Sequence, residues 1–427
     1  MTILGDLLST IFERRYLAFA PDRQDSRSME ELTSALVGAT GEVTGLSAAT
    51  HILRRYQNME DDEKLAFFHH LASDMNIDPE EVRSALEAYE ADPSKQTYRA
   101  FMSAVEPNRQ ELIRRLNQIP GATETLVKMR ADLLRLGRND PRLQALDQDF
   151  RHLFMSWFNR GFLVLRPISW ESPAHILEKI IAYESVHEIA SWEDLRSRLV
   201  PGDRRCFAFF HPTMPDEPLI FVEVALTGDI PGSIQGLLIE DREAITTDKA
   251  RTAVFYSISN CQDGLAGISF GNSLIKQVVA DLSAELPGLK TFVTLSPIPG
   301  FTKWLQLEDI PYHDADAKQL RTLAAHYLMS AKRSDDMPLD PVARFHLGNG
   351  AQIHAVHADA DTSEKGIAQS AGTMVNYLYD LNKVAQNHER FATAKEITAS
   401  AEIRNLDAAA KKQELKRPEN EEEAVQG

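Results

Sequence analysis

The stretch Thr294-Leu-Ser-Pro-Ile-Pro-Gly-Phe-Thr-Lys-Trp304 joins the end of one regular element to the start of the next. Before it, Lys290-Thr-Phe-Val-Thr-Leu295 is rich in β-branched and aromatic residues and reads as a strand. Pro297 and Pro299 then fix backbone angles and remove N–H donors, and Gly300 closes the turn ahead of a short helix over 300–305. The loop is therefore stiff, and Ser296 stands on it at a strand end, a good platform for a side chain that must hold its position. The residues alone leave a second reading open, in which Ser296 merely caps the 300–305 helix.

Working outward, 272–286 carries Leu274, Ile275, Val278, Val279 and Leu282 at helical spacing and reads as an amphipathic helix. Earlier runs read as strands: Arg205-Cys-Phe-Ala-Phe-Phe210, Leu219-Ile-Phe-Val-Glu-Val-Ala-Leu226 and Thr252-Ala-Val-Phe-Tyr-Ser-Ile258. Helices are expected at 173–187, 317–332 and 371–387. This mixture of strands and helices gives an α+β domain over 156–390 with a mostly antiparallel sheet.

Residues 1–155 read differently, as helix after helix. Stripes such as Leu65/Phe68/Ala72/Met75, Val82/Leu86/Tyr89, Leu112/Ile113/Leu116 and Leu126/Met129/Leu133/Leu136 recur at helical spacing. Asp78-Pro79 reads as a helix start, and breaks fall at Asp92-Pro93, Glu106-Pro107, Ile119-Pro-Gly121 and Asp140-Pro141. An all-helical bundle is the expectation there. Residues 391–427 read as a helical extension that ends in a charged, disordered tail.

Composition bounds the function. The chain has 427 residues, 43% hydrophobic and 26% charged, as a globular protein of two domains would have. No apolar run is long enough to cross a membrane. The net charge of −17 argues against nucleic acid or an anionic membrane as partner, but not against a small anion held by a few local cations and N–H groups. Asp6 and Glu13 fit neither a secretory signal nor a transit peptide, so a cytoplasmic location is expected. The two cysteines, Cys206 and Cys261, are expected as reduced thiols.

Candidate chemistry lies in three places. Gln262-Asp-Gly-Leu-Ala-Gly-Ile-Ser-Phe-Gly-Asn272 joins a strand to a helix, and its glycines let backbone N–H groups approach a pyrophosphate at a helix N-terminus. It matches neither a Walker loop nor a Rossmann fingerprint. Ser296 is the second candidate. The third is His346, in Arg344-Phe-His-Leu-Gly-Asn-Gly350. His354-Ala-Val-His-Ala-Asp-Ala-Asp361 suggests a metal at first sight, but its irregular spacing and lack of a second ligand cluster argue against one. His69-His70, His187 and the Pro-rich hairpin connection His211–Pro218 have structural readings.

At these residues the chain resembles the malonyl-CoA decarboxylase family. The resemblance is carried by Phe158-Asn-Arg-Gly-Phe-Leu-Val-Leu, Ile176-Leu-Glu-Lys-Ile-Ile-Ala-Tyr-Glu-Ser-Val-His187-Glu-Ile, Phe210-His-Pro-Thr-Met-Pro, Val224-Ala-Leu-Thr-Gly, Thr252-Ala-Val-Phe-Tyr-Ser-Ile-Ser259, Leu295 to Trp304, Phe345-His-Leu-Gly-Asn-Gly and Met374-Val-Asn-Tyr377. It implies a GNAT-type acetyltransferase-like catalytic domain behind a helical domain used in self-association. It implies Ser296 and His346 as the catalytic pair. It also implies coenzyme A binding along Ala266, Gly267, Ile268, Ser269, Phe270, Gly271 and Asn272. One departure is visible: animal members carry a glutamate where this chain has Ser269, so no acidic catalytic residue is carried over.

The resemblance implies conversion of malonyl-CoA to acetyl-CoA and CO2 by a homo-oligomer. Loss of CO2 leaves an enolate, and the thioester is itself the electron sink, so no metal or separate cofactor is expected. His346 is expected to protonate the α-carbon, with Ser296 hydrogen-bonded to the malonyl group. An acyl-CoA-dependent acyltransferase and a non-catalytic coenzyme A-binding protein are the alternative readings.

Overall fold

The computed structural model describes residues 25–39, 41–239, 242–268 and 271–414, without the side chains of 271–273 and 413–414. Two compact units divide the chain. The first comprises Met1–Val164, Phe209–Leu219 and Cys261–Phe270, and the second Leu165–Ala208, Ile220–Asn260 and Gly271–Gly427.

In the first unit the described residues form the α-helices Met29–Gly38, Glu42–Gln57, Asp61–Ser73, Pro79–Ala91, Lys95–Ala104, Asn108–Leu116, Ala122–Leu136 and Gln144–Trp157. All four sequence breaks fall between α-helices. Asp78 caps Pro79–Ala91, its carboxylate accepting from the Glu80 N–H at 2.8 Å, and Pro79 occupies the first turn, where no donor is lost. Leu112, Ile113, Leu116, Leu126, Met129 and Leu133 are buried, as their stripes require. The stripe Val82/Leu86/Tyr89 differs, because its helix buries no residue. It packs along Lys95–Ala104, with the Tyr89 ring stacked 6.3 Å from Phe101. A buried Arg109 is paired with Asp149 at 2.5 Å and also donates to Asn76.

The strands are β1 (Val164–Ile168), β2 (Arg204–His211), β3 (Met214–Thr227), β4 (Thr252–Asn260), β5 (Thr291–Thr294), β6 (Ser296–Pro297), β7 (Gln352–His357) and β8 (Met374–Leu378), in the order β1-β2-β3-β4-β5-β8-β6 with β7 on β8. The expected α+β class, helices first and a largely antiparallel sheet after, is the one observed. In the second unit β4 and β5 form a parallel pair, Thr252↔Thr291 to Phe255↔Thr294, while β3/β4, β5/β8, β6/β8 and β7/β8 are antiparallel. Behind β4 and β5 a core of Ala225, Val254, Tyr256, Val293, Leu295 and Met374 fixes the strand ends. Helix Gly271–Glu285 buries Leu274, Ile275, Val278, Val279 and Leu282, as its periodicity predicts.

One expectation is corrected. Residues 371–387 do not form a helix. Ala371 and Gly372 adopt φ of 49° and 71° and turn the chain out of helix Glu364–Ser370 into β8, and the next helix is Val384–Ala394. Met374, Val375, Asn376 and Tyr377 are all buried, so both faces of β8 are covered, and such a continuous buried run carries no period to distinguish strand from helix. The reading of His354–Asp361 also missed β7. The charged tail beyond 414 and the N-terminal 24 residues lie outside the described residues.

Candidate active site

Ser296 opens β6 opposite Val375 of β8, and Pro297, which has no N–H, follows opposite Met374. Ser296 does not cap the following helix, whose N-cap is Gly300. Instead the Ser296 hydroxyl points to the groups around it. It donates to Thr294 Oγ1 at 2.9 Å and lies 3.4 Å from His346 Nε2. Thr294 and Ser296 are two residues apart in an extended segment, so their side chains share a face.

His346 arrives from another element, the last turn of helix Pro341–Gly348. Asp340 caps that helix, accepting from the Ala343 N–H at 2.7 Å. Asp340 is itself buried, and burial raises its carboxyl to about 6. After the helix the chain must turn tightly. Gly350 has φ of 87°, and a Cβ there would lie 2.1 Å from the Val384 carbonyl oxygen, which explains the second glycine of Leu347-Gly-Asn-Gly350.

β8 and the residue just beyond it supply the rest of the site, Tyr377 and Tyr379 on one face and Asn376 on the other. The Tyr377 ring stacks on the imidazole at 4.6 Å and 23°, and the Tyr379 hydroxyl lies 2.8 Å from His346 Nδ1. Asn376 reaches back to β5, donating to the Thr294 carbonyl at 2.8 Å, while its own amide oxygen lies 2.5 Å from His357 Nε2. Ser296 is 6% exposed and His346 2%, and burial pushes the imidazole down to about 3. His346 is therefore neutral at ordinary pH and carries one ring proton. A phenol stands where a serine-nucleophile triad has a carboxylate, so the imidazolium that such a triad needs is not stabilised here.

The structure thus brings the two expected residues together. Thr294, Asn376, Tyr377 and Tyr379 were not singled out for roles in the sequence, although Thr294 and the Met374-Val-Asn-Tyr377 block both stood in the quoted motifs. No local signal marks the residues of β8, because the buried run Met374–Leu378 carries no period and the expected helix covers 371–387. His357 is taken up by Asn376, and no group of metal-ligating side chains occurs among the described residues.

The glycine turn is built in the first unit. Arg130, buried and paired with Asp147 at 2.8 Å, donates to the carbonyls of Gly264 and Ala266 at 2.8 and 2.9 Å. A Cβ on Gly264 would sit 1.9 Å from the Val127 carbonyl oxygen, and Gly267 has φ of 76°, so both glycines are required by the backbone. The N–H groups of Leu265, Ala266 and Ile268 donate within the turn. Ser269 and Phe270 lie outside the described residues, and Gly271 and Asn272 begin the helix in the second unit.

With this geometry in view, comparison with known proteins is specific. Residues 161–316 and 308–419 match the malonyl-CoA decarboxylase C-terminal domain, and residues 75–158 match the malonyl-CoA decarboxylase N-terminal domain. The mitochondrial malonyl-CoA decarboxylase of Anser anser anser is 36% identical over 348 residues, 70% of this chain and 69% of that protein. That of Mus musculus is 36% identical over 71% of this chain and 72% of its own length. The crystal structure of malonyl-CoA decarboxylase from Rhodopseudomonas palustris superposes with a TM-score of 0.83 at 49% identity, covering 88% of this chain and 98% of that one. The Agrobacterium vitis structure gives 0.84 at 48%, covering 89% and 99%. The chain belongs to the malonyl-CoA decarboxylase family.

Proposed function

We propose that this member of the family decarboxylates malonyl-CoA by cofactor-free chemistry at Ser296 and His346, with the neutral imidazole as the acid. The observation that carries the reading is the buried chain from Tyr379 through His346 to Ser296. The bond between the α-carbon and the carboxylate breaks, CO2 leaves, and the electron pair passes into the thioester as an enolate. Groups so nearly out of water favour loss of the carboxylate charge. Nε2–H of His346 then gives its proton to the α-carbon, and the Tyr379 hydroxyl gives its own to Nδ1. After acetyl-CoA leaves, water protonates Nε2 and Nδ1–H returns its proton to the Tyr379 phenolate, which restores the starting tautomer. A thioester enolate carbon is basic enough to take a proton from a neutral imidazole, which has a precedent as an acid in a buried enzyme site. Ser296 borders Nε2–H, and its oxygen orients the imidazole towards the malonyl group.

Coenzyme A binding along Ala266–Asn272 completes the reading, supported by the Arg130-anchored turn and the helix start that follows it. Self-association through residues 1–155 and a cytoplasmic location belong to the same reading. The buried Cys206 and Cys261, which form no disulfide, fit a reducing compartment. Among the described residues no helix is long and apolar enough to cross a membrane.

The test is incubation of the chelator-dialysed full chain with malonyl-CoA and no acyl acceptor. The expected result is acetyl-CoA and CO2 in equal amounts. Turnover that appears only after adding an acceptor amine or a metal overturns the reading.

A further inference from the structure

Thr294 sits at the end of β5 and is fully buried, and both ends of the residue are held. Its carbonyl accepts from the Asn376 amide at 2.8 Å, and its hydroxyl oxygen accepts from the Tyr377 backbone N–H at 3.1 Å. The backbone N–H is a donor that cannot reverse. The second group directed at Thr294 Oγ1 is the Ser296 hydroxyl, which donates to it at 2.9 Å. A hydroxyl has one proton, so Ser296 turns a lone pair towards His346 Nε2, 3.4 Å away. Only a protonated Nε2 matches that lone pair. Nδ1 is then the acceptor, and the Tyr379 hydroxyl at 2.8 Å is the donor it needs.

We propose that Thr294 is a positioning residue that fixes His346 in the Nε2–H tautomer by holding the Ser296 proton away from the ring. The inference rests on the reading of His346 as the proton donor and adds how the chain keeps that proton on the correct nitrogen. The hydrogen bonds run in one direction: Tyr379 O–H to Nδ1, Nε2–H to Ser296 Oγ, and Ser296 O–H to Thr294 Oγ1. Remove the Thr294 oxygen, and Nε2 becomes the acceptor left for the Ser296 proton. The order reverses, Nδ1 carries the proton towards Tyr379, and Nε2 has nothing to give to carbon. The same placement separates this serine from a nucleophile, whose hydroxyl must donate to the imidazole.

The deciding experiment is 15N NMR of the full chain labelled at histidine, with the His346 ring signals assigned by their loss in His346→Gln. The wild type is expected to show His346 protonated at Nε2 and bare at Nδ1. In Thr294→Val the Nδ1-protonated form should appear, with kcat lowered at least about tenfold and KM for malonyl-CoA changed less than about twofold. Thr294→Ser keeps the oxygen and should restore both tautomer and kcat to within about threefold. An Nδ1-protonated ring in the wild type overturns the proposal and needs no variant to fold. An unchanged tautomer in folded Thr294→Val overturns it too. A changed tautomer with unchanged kcat upholds the role of Thr294 and instead removes His346 as the acid, so the two readings fail separately.

Discussion

The hydroxyl of Tyr379 lies 2.8 Å from Nδ1 of His346, on the side of the ring away from Ser296. Both groups are buried, so the bond has no water to replace it and fixes the plane of the imidazole together with the stacked Tyr377. Tyr379→Phe keeps the ring volume and removes the bond. We expect kcat to fall about 10²-fold while the fold survives, read by acetyl-CoA formation alongside circular dichroism. A loss confined to KM would argue against a role in proton delivery.

The neutral state of His346 has a pH signature. Burial holds its folded pKa at about 3, below the ordinary histidine value near 6.5. Between those values the unfolded chain binds a proton that the folded chain does not. Stability on this account is complete above about pH 6.5 and falls as the pH drops towards 3, with a slope of up to about 1.4 kcal/mol per unit. Denaturant titrations from pH 7 to pH 4.5 should therefore show a shallower acid loss in His346→Gln than in the wild type. The kcat/KM profile of the wild type should show no ionisation of His346 between pH 6 and 7.

Arg130 offers a prediction about substrate grip. Its guanidinium holds the Gly264 and Ala266 carbonyls and so shapes the turn proposed for coenzyme A. Arg130→Met should raise KM for malonyl-CoA about tenfold with kcat nearly kept. With malonyl-pantetheine, which lacks the pyrophosphate, wild type and variant should have the same KM. An equal loss with both substrates would mean general damage to the unit.

Gly350 tests the backbone reading of the motif that carries His346. An alanine there meets a carbonyl oxygen at 2.1 Å in a left-handed conformation, so two penalties add. Gly350→Ala should cost more than about 2 kcal/mol in chemical denaturation. Gly38→Ala, where a Cβ meets nothing within 4 Å, is the control and should cost less than about 1 kcal/mol.

Much of this is legible in the sequence. The Pro297/Pro299 loop, the amphipathic helix after the glycine turn, the helix start at Asp78-Pro79 and the four helix breaks are all visible, because proline, glycine and capping residues act locally. Ser296 and His346 stood out through the resemblance, and the structure brings them within 3.4 Å across fifty residues of chain. What stayed hidden was set by non-local pairing. β8 is covered on both sides, so Met374-Val-Asn-Tyr-Leu378 shows no alternation, and the partners Asn376, Tyr377 and Tyr379 were lost in an expected helix. The neutrality of His346 was equally invisible, since it comes from burial. A lone histidine suggested a group titrating near neutrality, and the structure makes it an un-ionised one.

Steady-state turnover of malonyl-CoA by Ser296→Ala and His346→Gln, measured as CO2 released by folded full-length protein, puts the site itself to the test. Loss of kcat by about 10²–10⁴ in His346→Gln, and by at least about tenfold in Ser296→Ala, is the expected result. Near wild-type kcat in both folded variants would contradict it and place the chemistry elsewhere in the chain.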